Sequence, residues 1–288
     1  MTFFRSGRGR GRRLTGLTTM AALFAGIALL TLSPAFADDV VPHEEITVVR
    51  HVLTMAPDGS VAIEEEDRTT VSAAFKVNTY QWAKNTLPVE VAYNPSGEPS
   101  GMNVPQILQD AMAKWNAVPS SFSFAWAGTT TSETGSCLDG ADFVTDGTNT
   151  VRFKNLPGLT LGRTCTIFAG GKIKEFDMEL DGDGTWSSAT PVPSSAYDLP
   201  TTVLHELGHA LGLGHSCGDT GAPPCGSAYL KSVMYRQIAA GESRRELTAD
   251  DVSGLQSAYP STATPTATPT APLPPLNFRI RAPLLSRD

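Results

Sequence analysis

Three of the five histidines in this 288-residue chain lie within eleven residues, in the stretch HELGHALGLGH that begins at His205. Two histidines four residues apart on a helix project from the same face, one turn above the other, so the imidazoles of His205 and His209 can reach one metal ion. A left-handed turn at Gly212 would end the helix and bring His215 back as a third ligand. Three neutral nitrogen ligands suit zinc and leave one tetrahedral position open for water, which is the pattern of a catalytic site. Glu206 points to an adjacent side of the helix, towards that water.

The extended pattern HExxHxxGxxH resembles the metzincin clan of zinc peptidases, and Ser216 directly after the third histidine resembles its matrixin branch. The clan carries a methionine turn downstream, which the sequence SVMY at 232–235 matches. Astacin-like and serralysin-like turns place a tyrosine two residues after the methionine, within reach of the zinc, whereas this chain has Arg236 there. The resemblance therefore implies that Met234 packs beneath the zinc ligands and that Tyr235 forms a wall of the substrate pocket.

The resemblance implies an α+β zincin fold, with a twisted mixed sheet, an active-site helix, the methionine turn and a C-terminal helix. It also implies a secreted zinc metalloendopeptidase that hydrolyses internal peptide bonds. One catalytic Zn²⁺ would be held by His205, His209 and His215, and Glu206 would act as the general base towards the zinc-bound water. Two alternatives remain: a catalytically inactive, metzincin-like surface binding module, and a zinc amidase or carbohydrate-active hydrolase. The intact Glu206 argues against the first, and the methionine turn and the edge strand described below favour peptide substrates over the second.

Capping residues and the spacing of apolar residues predict three helices, one of which carries the HExxH motif. Asp198 is a good N-cap for the helix that carries His205. The run 104–117 has apolar residues at helical spacing and resembles the first long helix of the family. The run 247–256 resembles the closing helix of matrixins, with Thr248 as its N-cap. By the same resemblance, the acidic pair at 250–251 would support the methionine turn.

Alternating and apolar runs predict the sheet, and the likeness to bacterial matrixin catalytic domains extends from residue 75 to residue 260. The first predicted strand combines residues 80–82 and 87–94, and the others lie at 122–126, 151–153, 161–166 and 172–180. In this family the strand Leu161 to Thr166 would be the edge strand that pairs antiparallel with the substrate backbone. In that mode of recognition an extended peptide adds a strand to the sheet.

Residues 1–37 have the organisation of a secretory signal peptide. Five arginines precede the apolar run 17–32, and the small-x-small sequence Ala35-Phe36-Ala37 follows it. The apolar run is short for a membrane span, which disfavours an uncleaved anchor. We therefore expect a secreted, extracellular protein, with surface association left open, and no membrane span after signal cleavage.

Residues 38–74 form a short N-terminal segment that we interpret as a pro-region. Two β-like runs, Ile46–Met55 and Ser60–Glu65, suggest a hairpin. Matrixin pro-regions often keep the enzyme latent with a cysteine on the zinc, but this segment contains no cysteine. We expect His43 and His51 to face solvent, the alternative being that one of them shields the zinc.

The end of the chain has the composition of a stalk. Residues 261–275 alternate Thr, Ala and Pro, which predicts an extended linker. Residues 276–288 form a short tail with no predicted structure.

Four cysteines suit two disulfides in an oxidising compartment. Cys217 and Cys225 bracket a short Gly/Pro loop between the third histidine and the methionine turn, where a disulfide would stiffen the substrate pocket. Cys137 and Cys165 would then pair. Four cysteines allow three connectivities, and this one is our prediction; a zinc-thiolate site is disfavoured by the export signal.

The charge of the chain bears on its partners. The net charge is −7, and because residues 1–37 hold five arginines and no acidic residue, residues 38–288 carry −12. Such a chain is a poor candidate for binding nucleic acid or anionic membranes. The resemblance implies protein or peptide substrates, and we expect the protein to be a monomer. Asp139, Asp142 and Asp146 match no calcium-loop spacing, and the sequence at 181–184 is better interpreted as a tight turn. A Ca²⁺ site is therefore left unassigned.

Overall fold

A computed structural model describes residues 47–56, 78, 80–137, 144–219 and 222–261. The described residues all belong to one compact unit of the chain, Glu44–Asp288. Among them, no helix combines the length and the apolar character that a bilayer span requires. Several predicted features lie outside the described residues: the signal peptide, His43, Ser60–Glu65, Asp139, Asp142, nearly all of the linker, and the tail.

The described elements form an eight-stranded mixed sheet with helices packed on it, and a separate two-stranded sheet, which confirms the predicted α+β class. The strands are β1 (Thr47–Met55), β2 (Gln81–Trp82), β3 (Val89–Asn94), β4 (Phe124–Thr129), β5 (Thr150–Lys154), β6 (Thr160–Ala169), β7 (Lys172–Asp181), β8 (Trp186–Ser187), β9 (Tyr197–Asp198) and β10 (Gln237–Ile238). The helices are α1 (Val104–Asn116), α2 (Leu199–Ala210) and α3 (Ala249–Ala258).

The strand order of the sheet is β10-β1-β6-β7-β5-β3-β4, with β2 also paired to β7. Pairs β3–β4, β3–β5 and β5–β7 are parallel, whereas β6 is antiparallel to both β7 and β1. Gly170 and Gly171 connect β6 to β7 with φ values of 57° and 70°. A two-residue turn with positive φ at both positions matches the twist of the flanking strands, which explains why glycines occupy it.

Two predicted strands differ in detail from the observed ones. The stretches 80–82 and 87–94, predicted as one strand, are the separate strands β2 and β3, with a 3-10 turn at Lys84–Thr86 between them. They are separate because β2 pairs with β7 while β3 pairs with β4 and β5. The run 122–126 becomes β4, which begins two residues later than predicted. The side chain of Asn116 accepts from the Phe124 backbone N–H at 2.7 Å and donates to its carbonyl at 3.0 Å, which ties the start of β4 to the end of α1.

The core lies between the sheet and helices α1 and α2. The apolar stripe predicted for α1 is buried, with Trp115 fully enclosed. Its indole N–H donates to the carbonyl of Leu204 at 3.0 Å, so the polar atom of the largest core side chain is satisfied by α2. This contact fixes the helix that carries the HExxH sequence against the rest of the domain.

Candidate active site

Helix α2 is fixed at both ends. At its start, Asp198 accepts from the Thr201 backbone N–H at 3.2 Å and the Thr201 hydroxyl at 2.6 Å, as the N-cap prediction expected. Arg245 holds the same carboxylate with two contacts of 2.5 and 2.9 Å. After the last turn, Gly212 has φ +105°, and a Cβ there would lie 3.0 Å from the carbonyl oxygen of Tyr80. Glycine is therefore required where the chain turns back towards His215.

The three histidines of the motif converge on one point. Their candidate ligand atoms all lie within 4.8 Å of one another, and the Nε2 atoms of His205 and His209 are 3.0 Å apart. Each Nδ1 lies at hydrogen-bond distance from an oxygen atom: the Val233 carbonyl at 2.6 Å, the Leu213 carbonyl at 2.8 Å and the Asp219 carboxylate at 2.7 Å. These acceptors place the proton on Nδ1 and turn the Nε2 lone pairs towards each other.

This arrangement fits a zinc ion. The buried Nε2 of His215 has no hydrogen-bond partner, and lone pairs that face one another inside a protein require a cation between them. Burial lowers the pKa of His205 and His209 well below the ordinary histidine value, so both rings are neutral, which is the form that binds metal.

Glu206 is fully buried beside the histidines. Its Oε2 accepts from the Thr164 hydroxyl at 2.6 Å, and its Oε1 has no partner. Strand β6 approaches closely because residue 162 is glycine; a Cβ there would lie 2.9 Å from Oε1. Burial raises the pKa of Glu206 to about 8, and a dication at the histidines would act in the opposite direction.

The N-terminal segment reaches this site, which the sequence analysis had left open only as the alternative that His43 or His51 shields the zinc. The strand expected at 46–55 is present as β1, but the expectation that His51 faces solvent is wrong. His51 is buried, and its ring stacks on His209 with centroids 4.4 Å apart. Its Nε2 lies 3.0 Å from the hydroxyl of Tyr80. Residues 161–166 do lie in β6, but β1 covers the edge that was expected to be open to substrate.

The methionine turn lies directly beneath α2. A Cβ at Gly208 would overlap the sulfur of Met234 and lie 3.0 Å from Trp115, so the turn and α1 meet the helix where it has no side chain. Tyr235 is buried, with the Arg244 guanidinium 5.1 Å from its ring centre. Arg236 lies 3.5 Å from the carbonyl of residue 218, so its head group lies at the loop after the third histidine.

Comparison with known proteins agrees with this geometry. Residues 81–260 match the family model described as Matrixin.

The chain belongs to the matrixin family.

Metalloendoproteinase 2-MMP of Arabidopsis thaliana is 29% identical over 190 residues, which cover 62% of this chain and 43% of that protein. Matrilysin of Rattus norvegicus is 29% identical over 186 residues, covering 63% of this chain and 60% of that protein. This matrixin therefore spans less than two thirds of the length of either relative. Among solved structures, the hatching enzyme zinc-protease HCE-1 of Oryzias latipes is 15% identical with a TM-score of 0.31, covering 68% of this chain and 98% of that one.

Two disulfides brace the site of this matrixin, with the pairing that the sequence favoured. Cys137 and Cys165 tie the loop before β5 to β6, with Cα atoms 5.3 Å apart. Cys217 and Cys225 close the loop after the third histidine, with Cα atoms 5.0 Å apart.

Several contributors to the site were not recognised in the sequence. Asp219, the acceptor for His215, was detectable in principle, because it stands four residues after that ligand and metal-bound histidines usually donate to a carboxylate or carbonyl. Thr164 had no sequence signal, because its contact with Glu206 depends on strand register.

Proposed function

We propose that this matrixin is a secreted metalloendopeptidase that hydrolyses internal peptide bonds of proteins, with His205, His209 and His215 holding one catalytic zinc ion. The observation that carries the proposal is the convergence of three buried Nε2 atoms while every Nδ1 is engaged by a separate oxygen. Ion binding explains this arrangement, whereas a structural helix core would leave those lone pairs unsatisfied.

A zinc ion held there would polarise the carbonyl of the bond to be cut and lower the pKa of a coordinated water from ~15.7 towards ~7. Glu206 is the general base in this proposal. Thr164 holds Oε2, which leaves Oε1 as the atom that takes a proton from the attacking water. The same carboxylate then passes the proton to the leaving amine nitrogen.

The substrate class follows from the cleft beside β6. An extended segment already pairs with β6 on one side and with β10 on the other, so the cleft accepts a peptide backbone in β conformation. Main-chain hydrogen bonds of this type recognise any polypeptide, with side-chain pockets adding selectivity. Tyr235 would line one wall of the cleft and Met234 would support the zinc ligands from below. Monomeric action outside the cell is part of this proposal.

The partner-free Oε1 of Glu206 also argues against an inactive binding module. In a protein that binds its partner without cleaving it, this buried oxygen without a hydrogen bond would lower the stability of the fold and have no function.

The full chain tests the proposal, with zinc content measured by mass spectrometry and cleavage measured on casein. We expect Glu206→Gln to retain zinc and lose activity by about 10²–10⁴-fold, the usual contribution of general base catalysis. Glu246→Gln, at an exposed glutamate paired with Lys114, is the matched control and should keep the parent rate. A Glu206→Gln protein that cleaves casein at the parent rate would overturn the assignment of the base. Parent protein that binds no zinc would overturn the metal site.

A further inference from the structure

The third histidine of the site is oriented differently from the first two. His205 and His209 lie on α2, and their Nδ1 atoms lie at hydrogen-bond distance from main-chain carbonyl oxygens. His215 follows the end of that helix at Ala210, and its Nδ1 lies 2.7 Å from Oδ2 of Asp219. The third ring is therefore oriented by a charged side chain that comes from a loop, whereas the first two are oriented by the main chain.

The loop that carries Asp219 is closed by a disulfide. Cys217, which is fully buried, is bonded to Cys225, and their Cα atoms are 5.0 Å apart. Directly before Asp219, the backbone has φ +82° at Gly218, where a Cβ would lie 3.0 Å from the Cys225 sulfur. Glycine thus lets the backbone pass close to the disulfide on its way to Asp219.

Main-chain hydrogen bonds inside the loop fix the backbone on both sides of this carboxylate. The Gly218 N–H donates to the Pro223 carbonyl at 2.8 Å, and the Ala222 N–H donates to the Asp219 carbonyl at 2.9 Å. Both bonds join the part of the loop that follows Cys217 to the part that precedes Cys225. Because the backbone is already held, the Asp219 side chain loses less conformational freedom when it contacts His215.

A carboxylate on Nδ1 acts on a bound metal ion through the imidazole ring. It keeps the proton on Nδ1, which leaves the Nε2 lone pair for the ion, and it makes that nitrogen more basic. A charged acceptor also forms a stronger hydrogen bond than a neutral carbonyl group. The side chains of His215 and Asp219 are 7% and 26% exposed, so water and salt screen the pair only in part.

We infer that Asp219 is a positioning residue for the zinc ion, and that the disulfide between Cys217 and Cys225 raises zinc affinity by presenting this carboxylate to His215. The inference rests on the proposed function, in which the three histidines hold zinc. It gives the disulfide-closed loop a role in metal retention, beyond the stiffening of the substrate pocket that the position of its cysteines suggested.

Zinc affinity of the full chain, measured by competition with a chromophoric chelator, tests the role of Asp219. We expect Asp219→Ala to bind zinc about 10–100-fold more weakly than the parent, the usual effect of removing the outer partner of a metal ligand. Asp219→Asn keeps an oxygen that can accept from Nδ1–H and should recover part of the loss. Asp110→Ala, which removes the same charge from an exposed position of α1, should bind zinc as the parent does.

The outcomes separate the inference from the proposed function. Equal zinc affinity in the parent and in Asp219→Ala would overturn the inference and leave the proposed function standing. The same holds if Asp219→Asn binds zinc no better than Asp219→Ala, because the hydrogen bond would then have no role. A parent chain that binds no zinc would overturn the proposed function itself.

A double-mutant cycle tests the role of the disulfide. Replacement of both Cys217 and Cys225 by serine should weaken zinc binding in the parent background. In the Asp219→Ala background, the same pair of substitutions should change zinc affinity by less than about 2-fold, because the contact through which the disulfide acts is already lost. Equal losses in the two backgrounds would show that the disulfide does not act through Asp219.

Exchange of the Nδ1 proton of His215 is a readout that does not depend on zinc affinity. At saturating zinc, in protein labelled with ¹⁵N-histidine, this proton should exchange with water at least about 10-fold faster in Asp219→Ala than in the parent, because a hydrogen bond to a charged acceptor is lost. The Nδ1 protons of His205 and His209 should be unaffected, because their acceptors are main-chain carbonyls. Faster exchange at all three rings would indicate general loosening of the site and would overturn a specific role for Asp219.

Discussion

Asp251 is the residue whose replacement tests how the site is supported. Its buried carboxylate accepts five hydrogen bonds. Its Oδ1 accepts from the Ser232 hydroxyl at 2.6 Å and from the Met234 N–H at 3.1 Å. Its Oδ2 accepts from the Val233 N–H at 3.1 Å and from the N–H and the hydroxyl of Thr248, both at 2.8 Å. One side chain therefore joins the methionine turn to the start of α3.

Asp251→Asn has a calculable cost. Asparagine keeps one oxygen, so whichever way the amide is oriented, at least two of these donors lose their acceptor. The Met234 N–H keeps the Ser232 hydroxyl oxygen at 3.1 Å as a second acceptor, so at least one donor is left without any partner. A buried donor without a partner costs about 1–3 kcal/mol, so we expect the free energy of unfolding to fall by at least about 1 kcal/mol. Zinc affinity should fall as well, because the Val233 carbonyl orients His205 at 2.6 Å, and loss of such outer support costs about 10–100-fold.

Urea unfolding of the zinc-free protein, followed by tryptophan fluorescence, measures the first effect. Competition with a chromophoric chelator measures the second. Asp250→Asn is the matched control, because it removes the same charge from the same turn of α3. If Asp251→Asn has the same urea midpoint of unfolding and the same zinc affinity as Asp250→Asn, Asp251 does not support the metal site through the methionine turn.

Two further predictions address packing and charge. Gly208→Ala should lower the free energy of unfolding by about 1–3 kcal/mol, since its Cβ would overlap Met234 and crowd Trp115; unchanged thermal stability would contradict this close approach. Burial raises the pKa of Asp177 from 3.8 to about 7, so the folded state holds a proton that the unfolded state loses as the pH rises from about 4 to about 7. Over that range the parent should lose up to roughly 4 kcal/mol of stability relative to Asp177→Asn; parallel curves of unfolding free energy against pH would exclude the effect.

Local patterns were sufficient for the elements that depend on neighbours in the chain. The helix over 104–117 followed from apolar spacing and is buried as expected in α1. The caps at Asp198 and Thr248 followed from residue type, and both side chains make the expected hydrogen bonds. Histidine spacing on α2 and the glycine at 212 were enough to bring three imidazoles together. In each case the contacts that decide the structure join residues only a few positions apart, so a local sequence pattern is enough to predict them.

Strand partners could not be obtained in this way, because an extended segment can pair with any sheet edge. The acidic residues of β7 show the difference. Alternation identified the apolar face, yet Glu175, Asp177 and Glu179 on the other face are buried as well, with Asp177 accepting from Ser136 and Glu179 paired with Arg163. A loop covers them, and a sequence pattern does not show which loop lies over which strand.

The sequence by itself therefore determined the helix that carries the histidine motif, its caps and the family, since these depend on spacing within single elements. Only the tertiary structure decided that β1 enters the cleft, that His51 stacks on His209 and that Thr164 contacts Glu206. Those contacts join residues far apart in the chain, and their free energy comes from pairing and burial that exist only after the chain has folded.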